Sequence, residues 1–580
     1  AVSMLVSLGI IEGKPDGSYG PTENVDRAQM AKMLSVIMNK GVDNSALYQS
    51  VNSGLTDITS NWAKGHINYC YTTGIIAGRG NGTFDPSATV TALEAAKMLL
   101  VAVGYDPAIE GFEGADWAIN VSVRADEQGI FEGFTKDLSA PLNRDDAALL
   151  IYNALDVEMI QSYTTNNYPI AYSDHRTILA DKYGVIKVQG VVVANEWASL
   201  ASDDGDAALK EGKTTIYNGE GIFSTTGNTT VSKEDASLKT QTFNVSTPVD
   251  MLGKTVNLYI KKTTILADST VYGDPVVSDV NTVVTTGETV LYSGAKDPQV
   301  DYDKLLGENG LTDKDAKYFW NYNSGKYIPN TTEKYGDKTA NVKGATLTII
   351  DNNGDGEVDY VLSVEKALAD ITSVNSKKET VTVRTLGTLD NKDVVGYEDM
   401  AKEDVVLYVQ YGGRTYLEKP EVVTGEMEHF NVKGTEKYMT VGGEKYKADE
   451  LETNARTEVV KFDVTECDKA NGVQFETSYN FYLDDYGNVI AFEEVEAAAK
   501  NYALVLDSAF STNMLNTDAQ VKVLLPDGTT KTYELNWDNS VKSWKDEDNS
   551  ALDTTEEAAE ALKKFLGTDD GGGVGKTYPA

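Results

Sequence analysis

Two hydrophobic rhythms divide the chain. Up to about residue 160 apolar positions recur every three to four residues, the spacing of amphipathic helices. Beyond it they alternate every second residue, the spacing of half-buried strands. In the first part, residues 62–73 predict a short helix with Trp62 and Ile67 facing inward, ending at Gly74, where a positive φ is required. Residues 78–86 predict a turn-rich loop bent at Gly80 and Gly82, with Phe84 returning to the core. Thr91 then caps a second helix, with Glu94 completing a capping box and Ala95, Met98, Leu99 and Ala102 as its buried stripe. In the second part, strands are predicted near 185–194, 255–260, 346–350, 380–383, 405–409, 479–483 and 520–525. Acidic turns separate them, at 351–356, 485–488 and 526–528.

The helical part is repetitive. Segments 9–31, 74–96 and 129–148 share one skeleton: a Gly-Ile pair (Gly9-Ile10, Gly74-Ile75, Gly129-Ile130), a Gly-rich loop, and a polar cap opening a second helix. Asn61-Trp62-Ala63 and Asp116-Trp117-Ala118 stand about a dozen residues ahead of the second and third pairs. Each helix–loop–helix unit of roughly 50–60 residues is too small to bury its apolar face alone, so the three are expected to pack together.

This skeleton resembles the S-layer homology (SLH) repeat, with its W-A start, its G-I-x-x-G-x-x-D-G-T-F-x-P loop and its T-R-A-E signature. Three copies cover residues 1–160, at about 1–45, 55–105 and 112–160, the first beginning partway through its unit. The resemblance implies a pseudo-threefold helical bundle that binds secondary cell-wall polysaccharide carrying pyruvate ketals. It places the ligand in grooves between repeats, on the signature Arg and on residues near the Trp and the Gly-Ile turn. Carried over by position, the signature Arg is Arg27 in repeat one and Arg144 in repeat three, whereas repeat two has Ala92 and cannot hold an anion there. A ketal carboxylate matches the two-pronged guanidinium, and a helix N-terminus beside it would add a favourable field. Lys14 and Arg79, in the corresponding turn loops, are candidates for a second positive charge. The helical spacing of Trp62 and Trp117 with apolar partners places them in the core, with sugar stacking as the alternative.

The β-rich part reads as tandem all-β modules, sandwiches or small barrels, over 161–365, 366–421, 422–498 and 499–580. A terminal helix at 555–566 and a Gly-rich stretch at 571–573 end the chain. The strand openings 190–195, 370–375 and 425–431 resemble one another, as do the hairpins 347–365 and 480–496. Asp351, Asn353, Asp355 and Asp359, with Gly356 at the sixth position, match the start of a calcium loop. Leu362 stands where the bidentate Glu belongs, and a plain acidic hairpin is the alternative.

Composition narrows the function. Across 580 residues, 51 Lys and Arg against 89 Asp and Glu give a formal charge of −38. That balance argues against nucleic acid and for an acidic extracellular surface. Residues 1–160 hold 10 basic and 20 acidic side chains, so the helical part is itself at −10 and the rest at −28. An anionic polymer must therefore be captured at local sites, and the β-modules need cations or spacing to pack side by side. Three His and two Cys leave little for zinc or nucleophilic chemistry; Cys70 and Cys467 read as buried thiols, and His66, His175 and His429 have no ligand spacing. No apolar run is long enough to span a bilayer. The 570–577 stretch imitates a phosphate loop but lacks its first Gly and a preceding strand. A non-enzymatic S-layer protein of the bacterial cell wall, self-associating into a lattice, is expected. An SLH-anchored polysaccharide hydrolase and an adhesin are the alternatives.

Overall fold

The computed structural model describes residues 1–14, 16–200, 208–219, 239–261, 269–288, 290–291, 300–322, 344–434, 437–449, 451–495, 502–512, 517–525, 528–534 and 577–579. The expected helix at 555–566, the Gly-rich stretch and the phosphate-loop imitation lie outside them.

Six helices form the N-terminal unit: α1 (Val2–Ser7), α2 (Arg27–Met38), α3 (Lys64–Thr72), α4 (Ala92–Val103), α5 (Trp117–Glu127) and α6 (Arg144–Leu155). The second helix of each repeat packs on the first helix of the next, α2 on α3, α4 on α5 and α6 on α1, which closes a ring. Local chemistry sets the element ends. Asp26 and Thr91 form complete capping boxes with Gln29 and Glu94, and Asn143 accepts from Asp146 N–H. Gly74 follows α3 with φ +78°. Ala95, Met98, Leu99 and Ala102 are buried, as is Phe84.

One expectation fails here. Trp62 precedes α3 and is 57% exposed, while Ile67 alone of the pair is buried. The helix starts two residues later than its spacing suggested, so Trp62 lies off the buried stripe.

The remainder is β-rich. The long strands Val185–Asn195, Ala367–Asn375 and Val422–Asn431 share one design. The first half of each pairs with one antiparallel partner (Thr255–Lys261, Val405–Tyr411 and Ser478–Leu483). A bulge follows, and the second half pairs with a different strand (Thr214–Tyr217, Thr380–Val383 and Tyr438–Val441). The resembling openings 190–195, 370–375 and 425–431 span these bulges and the second halves. The hairpins Ala345–Asp351/Tyr360–Glu365 and Ser478–Leu483/Val489–Glu494 each stand shortly before the next long strand. Among the described residues every sheet has open edges, so no small barrel forms. Cys70 and Cys467 are buried free thiols.

Candidate functional site

The residues just ahead of α2, α4 and α6 meet on one axis. Val25 N–H donates to Leu142 O (2.8 Å), Leu142 N–H to Val90 O (2.7 Å), and Val90 N–H to Val25 O (2.9 Å), a closed ring of three bonds. All three side chains are buried. The helix N-termini therefore converge at one end of the unit. Their leading amides are engaged by the neighbouring repeat: Arg27 N–H by Ala88 O, Ala28 N–H by Pro86 O, Leu93 N–H by Leu138 O, Arg144 N–H by Glu23 O, Asp145 N–H by Pro21 O. Those amides already hold carbonyls, so what a helix N-terminus here can offer an anion is its field and not these free donors.

Arg27 is 5% exposed. Its Nε donates to Phe84 O (2.9 Å) and its Nη2 to Ala77 O (3.0 Å), both in the loop of repeat two, and its guanidinium lies 4.5 Å over the Phe84 ring. Glu94 Oε1 is 3.8 Å away. Burial, and then the Arg79 charge, push its pKa down against the pull of Glu94. Arg144 repeats this geometry one step round the ring: Nε donates to Tyr19 O (2.9 Å), Nη2 to Glu12 O (3.1 Å), and the guanidinium covers Tyr19 at 4.9 Å. It is only half-buried. Each signature Arg thus ties its repeat to the loop of the next. At the third joint Ala92 is buried, and Phe131, Phe134 and Leu138 pack against the core there.

The cations within reach of solvent sit beside these ties. Arg79 is 38% exposed, with Glu94 at 3.1 Å and Asp85 at 3.7 Å, so Arg27 and Arg79 share Glu94. Lys14 pairs with Glu23 next to the Arg144 tie. Trp117 is half-buried with Lys97 Nζ 5.7 Å over its ring, and that ammonium also donates to Phe112 O (2.6 Å). Sequence reasoning missed Lys97 and Asp57, whose carboxylate accepts from Phe84 N–H and Asp85 N–H. Lys32 and Lys97 each stand five residues after the signature position, a recurrence that would have flagged them.

Between repeats one and two, His66 Nδ1 lies 2.6 Å from Ser35 Oγ and its Nε2 3.6 Å from Asp43; the ring meets Trp62 edge-on at 6.3 Å. The Ser35 hydroxyl donates to Lys32 O, which leaves His66 Nδ1 as the donor to Ser35 Oγ. Burial pushes the His66 pKa down, Asp43 opposes this and Lys32 assists it. The unfolded chain, near the usual 6.5, takes up a proton before the folded one does. Stability is therefore complete above about pH 6.5 and falls as the pH drops below it. Melting temperature recorded from pH 7.5 to 5 is expected to fall across that window in the wild type, with a shallower slope in His66→Gln.

The calcium candidates form a turn that binds itself. Asp351, 1% exposed, accepts from Asn353 N–H (3.1 Å), Gly354 N–H (2.7 Å) and Gly356 N–H (3.0 Å). Asn353 accepts from Asp355 N–H, Asp355 from Glu357 N–H, and Asp359 from Asn352 N–H. Among the described residues no group of three or more His, Cys, Asp or Glu is placed to hold a metal ion. Asp351 spends both carboxylate oxygens on the loop's own amides, and Asp355 and Asp359 spend one each.

Three helix–loop–helix units thus close around one axis, with cations at the joints between them. The S-layer homology domain model matches residues 1–31 and 54–96. A cell surface protein of Thermoanaerobacter kivui is 27% identical over 39% of this chain and 27% of its own length. An S-layer protein of Bacillus licheniformis is 32% identical over 19% of this chain and 12% of its own. An amylopullulanase of Thermoanaerobacterium thermosulfurigenes is 29% identical over 27% of this chain and 9% of its own. The chain thus spans about a quarter or less of each of these relatives. It is an SLH-domain protein of the bacterial cell surface, associated with the cell wall. No helix among the described residues is long and apolar enough to cross a membrane.

Proposed function

We propose that the helical unit attaches the chain non-covalently to a secondary cell-wall polysaccharide bearing carboxylates, pyruvate ketals above all, and that the β-rich part builds a self-associating surface layer without enzymatic activity. The match of the S-layer homology model to repeats one and two is the observation that carries this reading. The names of the surface-layer relatives support the same direction. Polymer capture falls to the groove between repeats one and two and the groove between repeats three and one. There Arg79 and Lys14 are two cations that solvent reaches, Arg27 and Arg144 stand behind them, and Trp62 offers an exposed ring. Trp117 under Lys97 is a second aromatic edge at the remaining joint. With the helical part at −10, attraction is local and sensitive to salt.

Co-sedimentation with purified wall polysaccharide tests this. The double variant Lys14→Ala/Arg79→Ala is expected to lose at least tenfold in affinity while melting as the wild type does, since both side chains are partly exposed. Unchanged binding by that variant would remove both grooves from the site. Sheets appearing by electron microscopy when calcium is added to the full chain would support the lattice role, and persistent monomers would oppose it.

A further inference from the structure

The β-rich part is built onto the end of the helical unit opposite its ring of helix N-termini. One hydrophobic core runs from α1 through α6 and on into Ile178, Leu179, Tyr183, Val185 and Tyr259 of the β-rich part. Tyr183 donates its hydroxyl to Ile37 O (3.2 Å) in the last turn of α2. Tyr152, in the second half of α6, meets Tyr259 edge-on, with their hydroxyls 3.1 Å apart. Asp156, just past α6, pairs with Lys187 of Val185–Asn195 at 3.2 Å. Ser3 of α1 bonds Asp274 at 3.0 Å, and a side chain on Gly273 would lie 2.9 Å from Met4 Cβ. These contacts fall on α1 and on the C-terminal halves or ends of α2 and α6, and they come from several separated segments of the β-rich part.

From this we infer that the helical unit and the sheet of Val185–Asn195 form one rigid body that opens and melts as a unit, instead of an anchor joined by a hinge to an independent surface domain. Apolar burial on this scale, with side-chain bonds at several points around it, holds two elements in one orientation far better than a linker could. Helices α2, α4 and α6 have twelve residues each, so the two ends of the unit stand about 18 Å apart. A consequence follows that rests on the proposed polysaccharide site. The cations proposed to hold the polymer, Arg79 and Lys14, stand near the N-terminal ends of these helices and the β-rich part leaves from the other end, so attachment fixes the direction in which the surface layer projects.

Hydrogen exchange on the full chain, with limited proteolysis, tests the rigid body. Tyr183→Ala is expected to raise exchange at least tenfold both in the last turn of α2 and along Val185–Asn195. In the wild type, proteolysis between residues 156 and 178 is expected to be slower than in Tyr183→Ala. Faster exchange in α2 alone, or rapid wild-type cleavage there that releases two stable halves, would overturn the inference. Lys187→Met, a milder change, should raise exchange in the same two segments by a few-fold, and an effect confined to its own strand counts against it. Polysaccharide binding measured on the same samples separates the two ideas. Tyr183→Ala keeps binding if the ends are independent sites on one body, whereas wild-type chain that never binds defeats only the attachment reading.

Discussion

Arg27→Ala is expected to destabilise the helical unit by roughly 3 kcal/mol, with a fall of roughly 6–12 °C in melting temperature for a cooperative body of this size. The substitution deletes two charge-assisted hydrogen bonds, to Phe84 O and Ala77 O, and the cation stacked on Phe84. It also leaves those carbonyls facing a space water enters poorly, which costs more than the bonds alone were worth. Arg27→Lys should recover little, since one ammonium cannot reach both carbonyls and cover the ring together. Arg144→Ala, at a half-buried tie of the same geometry, should cost about half as much. Thermal unfolding followed by circular dichroism at 222 nm checks all three. Equal losses for Arg27→Ala and Arg144→Ala would show that burial is not what sets the value of the tie.

Asp351→Ala is expected to cost a similar amount, roughly 3 kcal/mol, for a different reason. A buried carboxylate collects three backbone N–H groups of one turn, and alanine leaves all three without an acceptor. The damage spreads because the turn is latched to a neighbouring strand: Thr255 Oγ1 donates to Asn352 O (2.6 Å), and Asn352 Nδ2 donates to Gly253 O (3.1 Å). Asp351→Asn keeps an acceptor oxygen and should cost about 1–1.5 kcal/mol. Urea unfolding of the two variants, in EDTA and again in calcium, measures this. A stabilisation by calcium that disappears in Asp355→Ala would mean that the loop reorganises to hold the ion.

Much of the helical unit was legible in the chain. The capping boxes at Asp26 and Thr91, the left-handed glycine after α3 and the stripe on α4 are local, because each depends on residues within a turn or two of one another. The weak likeness of 190–195, 370–375 and 425–431 also carried real content, since each segment spans a bulge where a strand changes partner. The candidate site was legible only as a set of positions. Arg27 and Arg144 share one geometry, as their matching positions in the repeats suggested, yet a guanidinium suits a ketal carboxylate and a pair of peptide carbonyls equally well. Its partners here lie 50 and 57 residues along the chain, beyond any local spacing. Trp62 misled for the opposite reason: its apolar ring fitted the helical stripe, but α3 begins after it and leaves it in solvent.

The sequence by itself determined three helical repeats, an alternating β-rich remainder, and an acidic surface that must take any anionic polymer at a few points. Repetition and charge survive in one dimension, because they need only composition and short-range order. Only the tertiary structure decided that the helix N-termini close on one another, and that the acidic turn folds its carboxylates onto its own amides. It alone also decided that Tyr183 and Tyr259 extend the helical core into the β-rich part. Each of these depends on which donor reaches which acceptor once distant segments are packed, and burial, not residue type, makes that choice.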